Sequence, residues 1–185
     1  MNGHAPWGTV GGMLPKEIIS APMIARRVSE LAKEIDGRLP AGPLTVVGVL
    51  RGAFMFMADL VRAIPRQLTC DFLGVRSYGD ATVSSGVVEI TSDLASPIEG
   101  RHVLLIEDIA DTGLTLRYLQ ELLLARKPAS LHTCVLLAKS TLSPSIKIDF
   151  VGFEAPSAFV VGYGLDAAQL YRNLPYIGAI EPTKA

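Results

Sequence analysis

VLLIEDIADTGLTL, residues 103–116, is the stretch that decides how this chain is read. Val103 to Ile106 is an unbroken apolar run, as expected of a strand buried on both faces. The run meets two acids, Glu107 and Asp108, turns through Asp111, Thr112 and Gly113, and enters a leucine-rich pattern of helical period at Leu114. A helix N-terminus carries unsatisfied amide donors and partial positive charge. Such a turn can therefore wrap an anion with backbone N–H groups and the hydroxyls of Thr112 and Thr115. Gly113 permits positive φ or close approach of that anion. Capping of the helix by Asp111 or Thr112 is the commoner use of such residues. A cap, however, has no need of two adjacent acids, whereas the vicinal hydroxyls of a ribose suit them. The combination points to a site for a sugar phosphate.

Outward from this stretch, short β-type runs alternate with helical patterns. Apolar positions between Lys16 and Leu39 recur at helical spacing and predict a helix with Gly37 as its stop. Strands are predicted over 44–50, 67–75, 87–91, 103–106 and 131–138, and helices over 54–64 and 114–126, the last ending before Lys127-Pro128. This alternation predicts an α/β fold, a mainly parallel twisted sheet flanked by helices. After Lys147 the pattern breaks into short β pieces at 149–153, 158–161 and 176–180, read as a small lobe over one end of the sheet. The whole chain, 1–185, is expected to be one domain, with a core over about 37–146 and a hood over about 1–36 and 147–185. Ligands of such sheets lie beyond the carboxyl ends of the strands, here the loops after Leu50, Ile106 and Ala138.

Composition narrows the choice of partner. Seventeen basic against eighteen acidic side chains give a formal charge of −1, so there is no global field for nucleic acid or an anionic membrane, and any anion must be held locally. Cys70 and Cys134 lie in apolar β-type runs and, with three histidines in the chain, match no zinc spacing. They are expected to be buried free thiols of a cytoplasmic protein. No apolar stretch has membrane-spanning length, and the first residues do not follow the pattern of a secretion signal.

Residues 103–116 resemble the phosphoribosyl-diphosphate (PRPP) motif of the type I phosphoribosyltransferases. With Leu50-Arg51-Gly52 upstream and FVVGYGLD, residues 159–166, downstream, the chain is similar to the 6-oxopurine (hypoxanthine) branch from about residue 15 to about 180. The resemblance implies transfer of the 5-phosphoribosyl group from PRPP to hypoxanthine or guanine, releasing pyrophosphate, in purine salvage. It implies that Glu107 and Asp108 hold the ribose hydroxyls, and that Asp111 to Thr115, Leu114 included, hold the 5′-phosphate. Asp111 would also accept a proton at N7 of the purine, in a role partly electrostatic. Leu50, Arg51 and Gly52 correspond to the pyrophosphate loop, often with a cis peptide between the first two. Ser77 and Tyr78 correspond to a loop over 76–86 that closes and excludes water, and Arg172 to a further pyrophosphate contact. Lys139 would meet the 6-oxo group with its three donors, Phe159 would stack on the base, and the Val160 backbone would meet its edge. The cofactor implied is Mg2+, held by Asp166 and touched by Glu107 and Asp108. The family's usual assembly is a homodimer or homotetramer.

Two other classes compete. Aspartic proteases share Asp-Thr-Gly, but they are all-β and need two such aspartates, and here the single copy runs into a helix. A nucleotide-responsive RNA-binding regulator on the same fold would need a basic groove, and no dense Lys/Arg cluster is present. A P-loop nucleotidase is disfavoured, since the chain contains no G-x-x-x-x-G-K-[ST].

Overall fold

The computed structural model describes residues 15–78, 87–140, 142, 143 and 145–180, with Ser77, Tyr78 and Val87 described by their backbone alone. The elements in chain order are β1 (Lys16–Ile19), α1 (Ala21–Arg38), β2 (Leu44–Leu50), α2 (Phe54–Ala63), β3 (Leu68–Tyr78), β4 (Val87–Ser92), β5 (His102–Ala110), α3 (Leu114–Leu124), β6 (Ser130–Ala138), β7 (Phe150–Glu154), β8 (Phe159–Val161) and β9 (Ile177–Ile180). Six of the strands form one sheet in the order β4-β3-β2-β5-β6-β7, parallel except for β4.

Period-two alternation along the central strands feeds two cores. Leu44 and Val46 of β2, Leu104 and Ile106 of β5, and Cys134 and Leu136 of β6 pack with α1 and α2. Val47, Val49, Val103, Leu105 and Val135 pack on the other face with Leu116, Leu119 and Leu123 of α3. Each helix contributes one apolar stripe: in α1 it is Ile24, Val28, Leu31, Ala32 and Ile35, all buried. Truncating such a side chain to Ala costs about 2–5 kcal/mol. From β2 the chain winds one way through α2 to β3; from β5 it winds the other way through α3 to β6. The winding reverses between β2 and β5, and a crevice opens there beyond their carboxyl ends.

Several expectations are corrected. The predicted helix from Lys16 begins at Ala21, because residues 16–19 pair antiparallel with β9, while Ser20 caps the helix from its hydroxyl and Pro22 occupies its first turn. Four residues are too few for periodicity to separate strand from helix. Gly37 lies inside α1, which ends at Arg38. The central strand does not stop at Ile106: Glu107, Ile109 and Ala110 stay in the parallel ladder with Val135, Leu137 and Ala138. The acids are thus strand residues on a stiff support. Residues 150–154 belong to the main sheet, as edge strand β7, and α1 packs in the main core, so the boundaries drawn near 36 and 147 do not follow the sheets. The hood sheet is β1-β9-β8. The edge at β7 is covered from α1 by Arg27, which donates to the carbonyls of Gly152 (3.0 Å) and Val151 (2.8 Å). Cys70 is exposed and only Cys134 is buried, where desolvation pushes its thiol up. No helix among the described residues is long and apolar enough to cross a membrane.

Candidate active site

Three cavities surround the crevice between β2 and β5. The smallest, about 110 Å3, lies at the start of α3 and is lined by Glu107, Asp111, Thr112, Gly113 and Thr115. Gly113 is the N-cap of α3 with φ 78°, and no side chain caps the helix there; Thr112 Oγ1 accepts only a long 3.4 Å bond from the Leu114 amide. The first-turn donors remain available to an anion. The positive φ favours glycine at residue 113, and a side chain there would also push on the ends of Ile146 and Leu142.

A second cavity, about 280 Å3, is lined by Asp108, Ile109, Asp111, Lys139, Phe159, Val160, Leu165 and Asp166. Lys139 Nζ donates to Asp111 Oδ2 at 2.7 Å, so the ammonium and the carboxylate assigned to the base are already adjacent. Phe159 is 59% exposed although it sits in a strand whose next two residues are buried, which leaves its ring face open to a planar ligand. The third cavity, about 440 Å3, is lined by Leu50, Arg51, Arg76, Thr91, Ser92, Gln169 and Arg172. The Leu50–Arg51 peptide is cis.

The hood is fastened to this crevice by short contacts. Tyr163 Oη donates to Asp59 Oδ2 of α2 (2.6 Å), and burial followed by that bond pushes the phenol up. Gly164 has φ 102°, and a side chain there would strike the Gly52 carbonyl oxygen. A side chain on Gly52 would in turn strike the Asp108 carboxylate. Arg172 donates to the Gly164 carbonyl (2.8 Å) and pairs with Asp166 (2.7 Å). The Gln169 backbone N–H donates to Asp166 Oδ2 (2.8 Å), and its side-chain oxygen accepts from both Arg51 and Arg172 at 3.2 Å.

Glu107 and Asp108 are hydrogen-bonded to each other, and both carboxyls are raised, by burial first; for Glu107 the Asp108 charge adds to the effect. Glu107 Oε2 is buried without a partner. Two acids this close, one with an orphaned oxygen, suit a divalent cation or a pair of hydroxyls. Glu107 rises well above its ordinary 4.5, so between that value and the raised one the native state holds a proton that the unfolded chain has released. The contribution is fully present below the unfolded value and is lost as pH rises through the folded one. Melting of the metal-free, ligand-free protein between pH 5 and 8 should therefore show a falling Tm that Glu107→Gln flattens. An unchanged slope in that variant would clear Glu107 of the effect.

The structure gathers Glu107, Asp108, Asp111, Thr112, Gly113, Leu114, Thr115, Lys139, Phe159, Val160, Asp166, Leu50, Arg51, Gly52 and Arg172 around one crevice. Ser77 and Tyr78 are backbone partners of Val88 and Val87 at the end of β3, and the rest of the expected closing loop, 79–86, lies outside the described residues. Among the described residues no three acids, histidines or cysteines form a metal cluster, and the Asp166 oxygens are engaged by Arg172 and Gln169. Sequence reasoning missed Ile109, Leu165, Gly164 and Gln169. The positive-φ Gly164 left a legible trace in the Gly-Tyr-Gly spacing, whereas Ile109 and Leu165 look like ordinary core residues.

A family profile described as a phosphoribosyl transferase domain matches residues 16–168. The chain belongs to the phosphoribosyltransferase family. Among its relatives are the hypoxanthine-guanine phosphoribosyltransferase of Bacillus subtilis (strain 168), 51% identical over 91% of this chain and 94% of that protein, and that of Aquifex aeolicus (strain VF5), 47% identical over 93% and 98%. A hypoxanthine phosphoribosyltransferase crystal structure from Staphylococcus aureus superposes with TM-score 0.85 at 43% identity, covering 90% of this chain and 91% of that one.

Proposed function

We propose that this chain transfers the 5-phosphoribosyl group of PRPP to a 6-oxopurine, giving a nucleoside 5′-monophosphate and pyrophosphate in purine salvage. The observation that carries the reading is the meeting, at one sheet crevice, of an uncapped helix start, a lysine–aromatic cavity and an arginine-lined cavity, with Glu107 and Asp108 between them. In the transfer, a purine nitrogen bonds to C1 of the ribose, the C1–O bond breaks, its electron pair leaves with pyrophosphate, and the proton on N7 passes to Asp111. The α3 amides and Thr112 and Thr115 hold the 5′-phosphate, and Glu107 and Asp108 hold the ribose hydroxyls. Leu50, Arg51, Gly52, Arg172, Ser77 and Tyr78 serve the diphosphate. Positioning and fixed charge carry most of the catalysis, since little covalent chemistry is asked of the protein. Asp166 would hold Mg2+ on the pyrophosphate side, Glu107 and Asp108 would touch a metal bound at the ribose, and the ion would supply positive charge to the diphosphate.

Lys139 selects the base. Its ammonium offers donors and no acceptor, so it satisfies a 6-oxo group and opposes the 6-amino group of adenine. A spectrophotometric screen of the four purine bases with PRPP and Mg2+ should show turnover of hypoxanthine and none of adenine; appreciable adenine turnover overturns the assignment. Lys139→Gln, whose amide can both donate and accept, is expected to narrow that gap by raising the KM for hypoxanthine. Self-association as a dimer or tetramer, which sedimentation measures, and a cytoplasmic location suited to two free thiols belong to the same reading.

A further inference from the structure

We infer that Arg76 is an additional pyrophosphate-binding residue, a third guanidinium of the diphosphate subsite beside Arg51 and Arg172. The inference rests on the functional reading above and extends it to the residue that precedes Ser77 and Tyr78, which that reading gave no role of its own. Arg76 lies in β3, opposite Glu89 of β4, and lines the same 440 Å3 cavity as Leu50, Arg51, Gln169 and Arg172. Among the described residues it has no hydrogen-bond or ion-pair partner, and it is exposed. Its neighbours are already committed. Arg172 is compensated by Asp166, and Arg51 reaches only the neutral oxygen of Gln169. Around this wall Arg51, Arg76 and Arg172 stand against the two carboxylates of Asp166 and Glu89, which leaves one positive charge in excess for a diphosphate to meet. The strand support also bears on the assignment. Gly74, two residues before Arg76, lines the same cavity and is packed against Thr91 and Ser92 of β4 so closely that a side chain there would clash. A guanidinium fork matches adjacent phosphoryl oxygens in a way an ammonium does not.

The test uses the whole enzyme and the variants Arg76→Gln and Arg76→Lys. Inorganic pyrophosphate binding is measured by calorimetry with Mg2+ present, the KM for PRPP by steady-state kinetics, and binding of the nucleoside monophosphate product as the control lacking a diphosphate. Arg76→Gln should weaken pyrophosphate and raise the KM for PRPP roughly tenfold each, the lower end for a charged hydrogen bond at an open site. Product affinity, the KM for hypoxanthine and the Tm should stay within twofold or within error of wild type, and Arg76→Lys should recover part of the loss. Pyrophosphate affinity unchanged in Arg76→Gln would overturn the inference, as would an equal loss of product affinity, since that signals a general collapse of the site. Hypoxanthine turnover by wild type is scored separately. Its absence, with pyrophosphate still bound through Arg76, would sink the functional reading while supporting the anion subsite.

Discussion

Asp111→Ala is expected to lower kcat by roughly 10²–10⁴-fold while changing the KM for PRPP far less, the span typical of losing a positioned proton acceptor. The reason is geometric. Asp111 opens into both the 110 Å3 cavity at the start of α3 and the 280 Å3 cavity holding Phe159 and Lys139, so in the proposed reaction its carboxylate would stand where base and sugar meet. It is paired with Lys139 at 2.7 Å, and on the proposed reading a 6-oxopurine would replace this contact by giving the ammonium a carbonyl and the carboxylate an N–H. Asp111→Asn separates the roles. It keeps the shape and a polar contact to Lys139 but cannot take a proton, so it should lose nearly as much kcat as the alanine variant. Rapid-quench or steady-state assays with saturating hypoxanthine decide; equal losses in kcat and PRPP binding, or a near-normal Asn variant, would strip Asp111 of its catalytic part.

The second large effect is expected at Gly164. An L-residue at φ 102° is strained by about 1–3 kcal/mol, and its Cβ would collide with the carbonyl oxygen of Gly52, which as backbone cannot swing aside. Relief requires the hood to move off the turn at Arg51 and Gly52, and the movement is transmitted to Asp108, because Gly52 is itself packed on that carboxylate. Gly164→Ala should therefore melt earlier by about 2–4 °C for each kcal/mol lost and raise the KM for PRPP more than that for the purine. A variant with wild-type melting and wild-type PRPP kinetics would show that the glycine stack is not what holds these loops together. Tyr163 beside it, bonded to Asp59, limits how far the hood can shift without breaking a buried contact.

The parts of the site that were legible in the sequence are those in which chemistry and chain order coincide. The phosphate turn is contiguous, so its acids, hydroxyls and glycine announce a strand-to-helix anion site without any knowledge of packing. Alternation of β-type and helical patterns likewise gave the layered α/β class, because burial on both faces of a parallel sheet imposes unbroken apolar runs such as Val103 to Ile106. The strand ends were less legible. Glu107 and Asp108 interrupt the apolar run, and only the ladder with β6 shows that backbone pairing continues through them to Ala110.

By itself the sequence determined the fold class, the two crossover helices and the contiguous phosphate loop, since each depends on local propensity and on the period of apolar side chains. The tertiary structure decided what depends on pairing across the chain. It made residues 16–19 a strand through their ladder with β9, placed 150–154 at the edge of the main sheet, and exposed Cys70. It also joined Gly52 to Gly164, Arg51 to Gln169 and Arg172, and Arg76 to all three around one cavity. Contacts between residues about a hundred positions apart leave no periodic signal, because the free energy that selects them arises only when the sheet brings the distant segments together.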